Sequence, residues 1–221
     1  MLAAAISAGL LPCTLVYAQD KENPVYPYTI FAGSGDDGAI TIKADSFNVN
    51  GDIATNGTII ASGNLNINGK KTEKAGEQMI SAVKRLEAAY YSGNNVKDIS
   101  GDFQKKDNNI NINNPMRVSG TLGLQGNVSL NAAVIADGDI TISDGVLNCN
   151  SPLICSRTGS ITIEAGSAGL GGLIYAPEGA VTLKSDNLNL NNIVIIAEKV
   201  NISGRNVNAG YGKSAAAAIG T

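Results

Sequence analysis

Acidic residues near predicted turns are the side chains of this sequence that could bind a metal ion. Asp36 and Asp37 are adjacent, and Asp137, Asp139 and Asp144 follow one another later in the chain. Carboxylate oxygens suit Ca²⁺, but none of these groups has the spacing of a known calcium-binding loop. Aspartate near glycine commonly forms turns. We therefore predict turn residues here, with no metal site and no cofactor.

The catalytic possibilities are narrow because the sequence contains no histidine. Histidine is the commonest metal ligand and general base at neutral pH, so His-containing triads and His-ligated zinc are excluded. Glycoside cleavage needs two carboxylates that meet across a cleft, whereas the acidic residues here are scattered over turns. We predict a protein that is not an enzyme and has no catalytic residues. A carbohydrate-binding or polysaccharide-degrading β-helix is the alternative.

The composition indicates a domain with few charged residues and enough apolar residues to form a core. Only 16% of the 221 residues are charged, 43% are hydrophobic, and glycine and asparagine occur 26 and 25 times. Glycine and asparagine tolerate positive φ angles and therefore suit tight corners. The net charge of −3 provides no basic stripe for phosphates, so we predict no nucleic-acid partner.

The N-terminus has the pattern of a secretory signal peptide. Residues 2–17 are largely apolar, and Ala18 is followed by the polar residues that begin at Gln19. We predict a signal peptide over residues 1–18, a linker over 19–27, and no other membrane segment. A buried helix and a lipid anchor at Cys13 are the alternatives. In an exported chain, Cys149 and Cys155 could form a disulfide, and free buried thiols are the other possibility.

Short strands recur with a period near 20 residues. Gly138, Gly159 and Gly179 each begin a segment with the pattern Gly-x-aliphatic-Thr-aliphatic, and the same pattern begins at Gly38. Strand alternation places Ile142, Ile163 and Leu183 inward and Thr141, Thr162 and Thr182 outward. A single threonine column is explained by β-propensity, whereas ice binding would favour two columns.

A longer repeat relates the two ends of the chain. Residues 38–53 align with residues 179–194 at a constant offset of 141 without a gap. Further strands of the pattern aliphatic-Asn-aliphatic-Asn lie at Leu65–Asn68, Ile110–Asn113 and Leu188–Asn191. Aliphatic residues facing inward and asparagines stacked outward predict an all-β parallel β-helix, with about 20 residues per coil, over residues 28–212. Residues 213–221 are a C-terminal tail.

One segment, at about residues 70–109, interrupts the repeat. Met79, Val83, Leu86 and Tyr90 share one helical face within residues 73–92, and residues 93–109 have the composition of a loop. We expect one α-helical excursion that packs its apolar stripe against the solenoid. A partner-binding arm is the alternative.

The sequence from Leu173 to Gly204, with Tyr28–Ala32 and Asn50–Ile59, resembles the β-helical modules at the start of large Gram-positive surface proteins. The likeness covers nearly all of residues 28–212. The sequence is also similar, in coil pattern alone, to the polymer-forming bactofilins, which lack a signal peptide. The resemblance implies an extracellular module without catalytic residues.

These features favour a structural or adhesive module of a secreted or cell-surface protein. Its expected partners are cell-surface or matrix glycans, or other copies of the chain. Self-association is expected because an uncapped last coil presents open strand edges.

Overall fold

The computed structural model describes residues 26–79, 81–91 and 95–220. The predicted signal peptide, Cys13 and all but the last two residues of the predicted linker lie outside the described residues. The described chain is a parallel β-solenoid whose turns are about 19 residues apart, which confirms the predicted fold class. Neither helix within these ranges has the length and apolar character needed to cross a bilayer.

Strands dominate the described chain. In chain order they are β1 (Tyr28–Ala32), β2 (Ile40–Asn50), β3 (Asp52–Thr55), β4 (Ile59–Asn68), β5 (Lys71–Thr72), β6 (Lys97–Ile99), β7 (Phe103–Ile112), β8 (Met116–Val118), β9 (Leu122–Leu130), β10 (Val134–Ala136), β11 (Ile140–Ser143), β12 (Val146–Cys149), β13 (Leu153–Ser156) and β14 (Ile161–Tyr211). The helices are α1 (Val83–Tyr91) and α2 (Lys213–Gly220).

Each complete turn has three walls. In one turn within β14, residues 173–176 belong to the helix-side wall, 181–184 to the threonine wall and 187–191 to the asparagine wall. Aliphatic side chains from all three walls point inward and form one buried cluster. Ile142 pairs with Ile163, and Leu183 belongs to the same cluster, so the predicted inward column is confirmed. Burial of each such side chain contributes about 1.5–3 kcal/mol.

The turns do not stack in the order of the sequence. Residues 200–210, the last turn of β14, pair with residues 40–50 of β2, and β2 pairs in turn with β4. The N-terminal turns therefore extend the stack beyond the C-terminal turn. From there the chain crosses to the opposite end, where β6 and β7 begin the run that leads back through β9 to β14.

The last turn of the chain is consequently not an open end. The expected self-association rested on an open strand edge at the last turn. That premise is wrong because β2 pairs with the edge of the last turn. The predicted tail also has a different role, since α2 packs beside the solenoid in the apolar cluster that contains Ala215, Ala216 and Ile219.

Helix α1 makes the crossing along the outer side of the helix-side wall. Leu86 is fully buried there, and Met79, Val83 and Tyr90 pack partly buried against the same cluster. The N–H of Ala82 donates to Tyr175 Oη at 3.0 Å. Val83, Leu86 and Tyr90 form the predicted apolar stripe on the helix, and it covers the side of the solenoid. The helix begins at Val83, so Met79 precedes it.

The solenoid also includes part of the predicted loop. Lys97–Ile99 and Phe103–Ile112 are strands of an end turn, so the interruption is shorter than residues 70–109. These strands look like a loop in the sequence because an end turn has one face without a neighbouring turn. Polar residues therefore occupy positions that are aliphatic elsewhere.

Cys149 and Cys155 are free, buried thiols, the second of the two possibilities that the sequence left open. The physical reason is that their side chains point to opposite sides of the chain. Cys149 belongs to the inner cluster, whereas Cys155 belongs to the cluster beneath the helices. Burial raises the pKa of Cys149 to about 11 and that of Cys155 to about 12, which makes both thiols unreactive at neutral pH.

Charged side chains occupy inward-column positions at both ends of the stack. At one end Lys105 pairs with Leu124 of the inner column, and at the other Lys71 pairs with Ile53. Inward-pointing charges are a known protection of edge strands against pairing with another chain. At the second end Glu73 Oε1 also accepts a hydrogen bond from the N–H of Ile59 at 2.6 Å, which satisfies an edge donor.

The stacking of the two termini predicts a specific crosslink. Asn48 and Asn208 are register partners, and neighbouring strands lie about 4.8 Å apart, within disulfide range. We expect Asn48→Cys with Asn208→Cys to form a disulfide on mild oxidation, detected by mass spectrometry of linked peptides. Asn48→Cys with Asn189→Cys is the control, because two turns separate these residues by roughly 9.6 Å. A disulfide in the control alone would refute the turn order.

The edge contact of Glu73 predicts a pH dependence of stability. Its hydrogen bond from Ile59 lowers the carboxyl pKa, so its stabilisation is complete above the unfolded pKa of about 4.3 and is lost as the pH falls through the folded pKa. Glu73→Gln keeps an acceptor oxygen but does not titrate. We expect the difference in Tm between wild type and Glu73→Gln to be constant above about pH 5 and to change below about pH 4. Glu178→Gln, at an exposed position, is the control, and identical pH profiles for wild type and Glu73→Gln would contradict the assignment.

Candidate functional site

The asparagine wall is a chemically uniform surface of the described solenoid. Strand alternation leaves its outward positions to residues two apart in each turn, and asparagine fills most of them. Stacking of the turns then produces columns along the axis. From one end to the other, the middle column contains Asn66, Asn48, Asn208, Asn189, Gly169, Asn148, Ser129 and Asn111.

Asparagine side chains in these columns hydrogen-bond from turn to turn. Asn66 Nδ2 donates to Asn48 Oδ1 at 3.4 Å, and Asn48 Nδ2 donates to Asn208 Oδ1 at 3.2 Å. Similar bonds join Asn68 to Asn50, Asn131 to Asn113, and Asn206 to Asn187. The expected asparagine ladders are therefore present. An amide has two donor hydrogens and two acceptor lone pairs, so each ladder residue keeps hydrogen-bonding capacity for a ligand.

Short polar side chains hold the corners between walls. Asp102 Oδ1 accepts from the N–H of Thr121 at 2.7 Å, and Asp139 Oδ1 accepts from the N–H of Ser160 at 2.7 Å. The bond from Thr121 lowers the pKa of Asp102, because it stabilises the charged form. These carboxylates replace the backbone bonds that are interrupted where the chain turns.

The other aspartates considered as metal ligands also have protein partners. Asp36 Oδ2 lies 2.8 Å from Lys199 Nζ, and Asp137 Oδ1 lies 2.8 Å from Arg157 Nη1. Asp37 and Asp144 accept hydrogen bonds from Thr58 and Gln125. Residues 26–79, 81–91 and 95–220 contain no cluster of three potential protein ligands that could hold a metal ion.

The threonine wall has a different chemistry. Thr141 pairs with Thr162, and Thr182 occupies the corresponding position in the next turn, so the predicted single column is present. The second outward column of this wall contains Ser143, Glu164 and Lys184, and Lys184 Nζ lies 3.8 Å from Glu164 Oε2. This wall is therefore charged, in contrast to the asparagine wall.

A trough interrupts the asparagine wall at Gly169. One groove of about 550 Å³ lies between the wall and the helices and includes Asn148, Gly169, Asn189 and Tyr90. A second groove of about 500 Å³ continues along the wall and shares Asn148, Gly169 and Asn189 with the first. Among the residues that the structure describes, neither groove is lined by a charged side chain. Sequence patterns missed this trough because it depends on which turns are neighbours.

Comparisons with known proteins add a likeness of fold alone. No family model and no curated protein sequence matches the chain. Among solved structures, it is similar to the "Crystal structure of an ice binding protein from an Antarctic Biological Consortium" at 14% identity and a TM-score of 0.45, with 96% of each chain covered.

The asparagine ladder predicts unequal effects of equivalent substitutions. Asn48→Ala removes two ladder hydrogen bonds and a third bond to Ser46 Oγ, and we expect a loss of about 1–2 kcal/mol in the free energy of unfolding. Asn189→Ala removes no ladder bond in the described chain, and its effect is expected within about 0.5 kcal/mol. Denaturant unfolding of the two variants measures the difference. Equal losses would show that the ladder does not stabilise the solenoid.

Proposed function

We propose that this chain is a rigid, non-enzymatic adhesive module of an exported surface protein, with the asparagine wall as its contact face. The uncharged amide surface along the solenoid carries this proposal. Such a surface presents regularly spaced donors and acceptors without the desolvation cost of burying charge. It fits a partner that is rich in hydroxyl or amide groups, such as a cell-surface or matrix glycan.

The architecture suits a mechanical role. Parallel pairing between turns and a continuous aliphatic column make each turn a support for its neighbours. A contact face on such a rod is preorganised, so little conformational entropy is lost when it binds. This favours an extended adhesive surface.

The sequence supports location outside the cell. The apolar stretch before Gln19 has the signal-peptide pattern, and the resemblance to N-terminal modules of Gram-positive surface proteins agrees with export. The more distant resemblance to bactofilins would imply polymers. End-to-end stacking has less support than glycan binding, because Lys71 and Lys105 occupy inward-column positions at the two ends.

A polysaccharide-degrading function has one candidate location. A groove of about 630 Å³ between the threonine and asparagine walls includes Asp144, Glu164 and Asp186. Each carboxylate has a partner: Gln125 for Asp144, Lys184 for Glu164 and Arg205 for Asp186. The contact with Arg205 lowers the pKa of Asp186, whereas a catalytic acid needs a raised pKa. We therefore favour binding over cleavage.

An ice-binding function has no specific support from this chain. A threonine wall for ice would need two regular columns, and the second column here contains Glu164 and Lys184. Charged side chains orient nearby water around themselves, which disrupts the regular water spacing that an ice-binding surface needs. The absence of thermal hysteresis in solutions of the purified chain is the expected result.

We expect export and salt-resistant adhesion. When the full chain is produced in a Gram-positive host, the mature protein should appear outside the cytoplasm with Gln19 at its N-terminus. The fluorescently labelled mature protein should bind intact bacterial cells or extracellular matrix polysaccharide. Binding should weaken less than about threefold when the salt concentration is raised to about 1 M, since charge–charge attraction is then screened beyond about 3 Å.

N-terminal sequencing and fluorescence binding measure the two parts separately. Retention of an uncleaved chain in the cytoplasm would overturn the extracellular assignment. Loss of binding at high salt would show that a charged surface, and not the asparagine wall, makes the contact. Release of reducing sugar from the polysaccharide would establish the enzymatic alternative.

A further inference from the structure

We propose that the trough at Gly169 is a binding site for a single chain of neutral polysaccharide. The inference rests on the proposed adhesive function and names the site and the ligand class. The trough consists of the two connected grooves lined by Asn148, Gly169 and Asn189, with Tyr90 on the side of α1.

The trough exists because a glycine replaces one asparagine of the middle column. Asn148 pairs with Gly169 in register, and Asn189 follows in the next turn. The two asparagines are about 9.6 Å apart, twice the spacing of neighbouring strands. The missing side chain between them leaves a channel that is one turn wide and open to solvent.

The backbone does not require glycine at this position. Gly169 has no positive φ angle, and a Cβ atom built on it would meet nothing within 4 Å. By contrast, a Cβ on Gly171 would lie 3.0 Å from the carbonyl oxygen of Asn191. The chain can therefore accept a side chain at residue 169, and the depression is not a by-product of a tight corner.

Free amides line both sides of the channel. Asn148 and Asn189 share Gly169 as a column neighbour, which offers them no side-chain partner. On their other sides lie Ser129 and Asn208, and neither asparagine has a ladder bond within the described residues. Each offers two donor hydrogens and a carbonyl oxygen. In the rest of the column, Asn48, Asn66 and Asn208 use part of this capacity on one another.

The chemistry of the lining selects the ligand class. The described residues around both grooves carry no formal charge, so an acidic polysaccharide or a phosphate would find no cation to neutralise it. Hydroxyl groups both donate and accept, which matches the free amides. The ring of Tyr90 adds an aromatic surface at the margin, against which the C–H face of a sugar can pack.

Isothermal titration calorimetry of the full mature chain tests the site. The probes are cellohexaose, xylohexaose and chitohexaose as neutral oligosaccharides, and hexagalacturonate as the acidic one. At least one neutral probe should bind more tightly than hexagalacturonate. Gly169→Asn should weaken that binding at least about tenfold, because it completes the column and fills the channel. Tyr90→Ala should also weaken it.

Gly210→Asn is the matched control. Gly210 lies on the same wall outside both grooves, and a Cβ atom there also meets nothing within 4 Å. This variant should bind like wild type, and circular dichroism and the Tm should show that both glycine variants fold.

The outcomes separate this inference from the adhesive function. Neutral binding that Gly169→Asn leaves unchanged, or a preference for hexagalacturonate, would overturn the trough as the site. Adhesion without binding of any neutral probe would also overturn it, while the adhesive function would stand. If the wild-type chain shows neither adhesion nor oligosaccharide binding, both proposals are refuted.

Discussion

The parallel contact between the first and last turns holds this solenoid together as one body. Ten register pairs join Val200–Gly210 to Ile40–Asn50, and Ile30, Phe31 and Ala32 pair with Ile195–Ala197 beside them. Each of these pairs is non-local, so the chain must close a loop of more than 150 residues before the contact forms. The entropic cost of closure grows only slowly with loop length, and the hydrogen bonds and aliphatic contacts of a complete turn offset it.

That turn order explains the helices. The described chain enters the stack near one end and has to travel along the outside to reach the far end, and α1 lies on that path. The helix-side wall is adapted to it, since Ile135, Cys155 and Tyr175 point outward and are buried only because α1 and α2 cover them. This wall is therefore apolar on both faces, and the helices are part of the core.

The other walls remain open to solvent and show two solutions for an exposed parallel sheet. The threonine wall carries ion pairs such as Lys184–Glu164, which are screened and contribute little to stability. The asparagine wall joins several of its amides from turn to turn and has no charged residue in its middle column. A surface of this kind attracts no counter-ions, so recognition depends on hydrogen-bond geometry and shape. The interruption at Gly169 gives an otherwise repetitive surface one distinct location.

Local residue order was sufficient to predict much of the molecule, because period and alternation are local properties. The spacing of Gly138, Gly159 and Gly179 indicated the turn length, and alternation correctly assigned Ile142 and Ile163 inward and Thr141 outward. The apolar stripe of α1 and the stacking of asparagines were visible for the same reason.

The remaining features depend on which distant segments become neighbours, and only the tertiary structure decided them. The strands at 97–112 have the composition of a loop because one side of an end turn lacks a partner. Cys149 and Cys155 are close in sequence but lie on different walls, since the chain turns a corner between them; Cys149 faces the core and Cys155 faces the helices. The trough arises because Gly169 is stacked between Asn148 and Asn189. Which residues of different turns become neighbours depends on the register of the whole stack and cannot be predicted from one position.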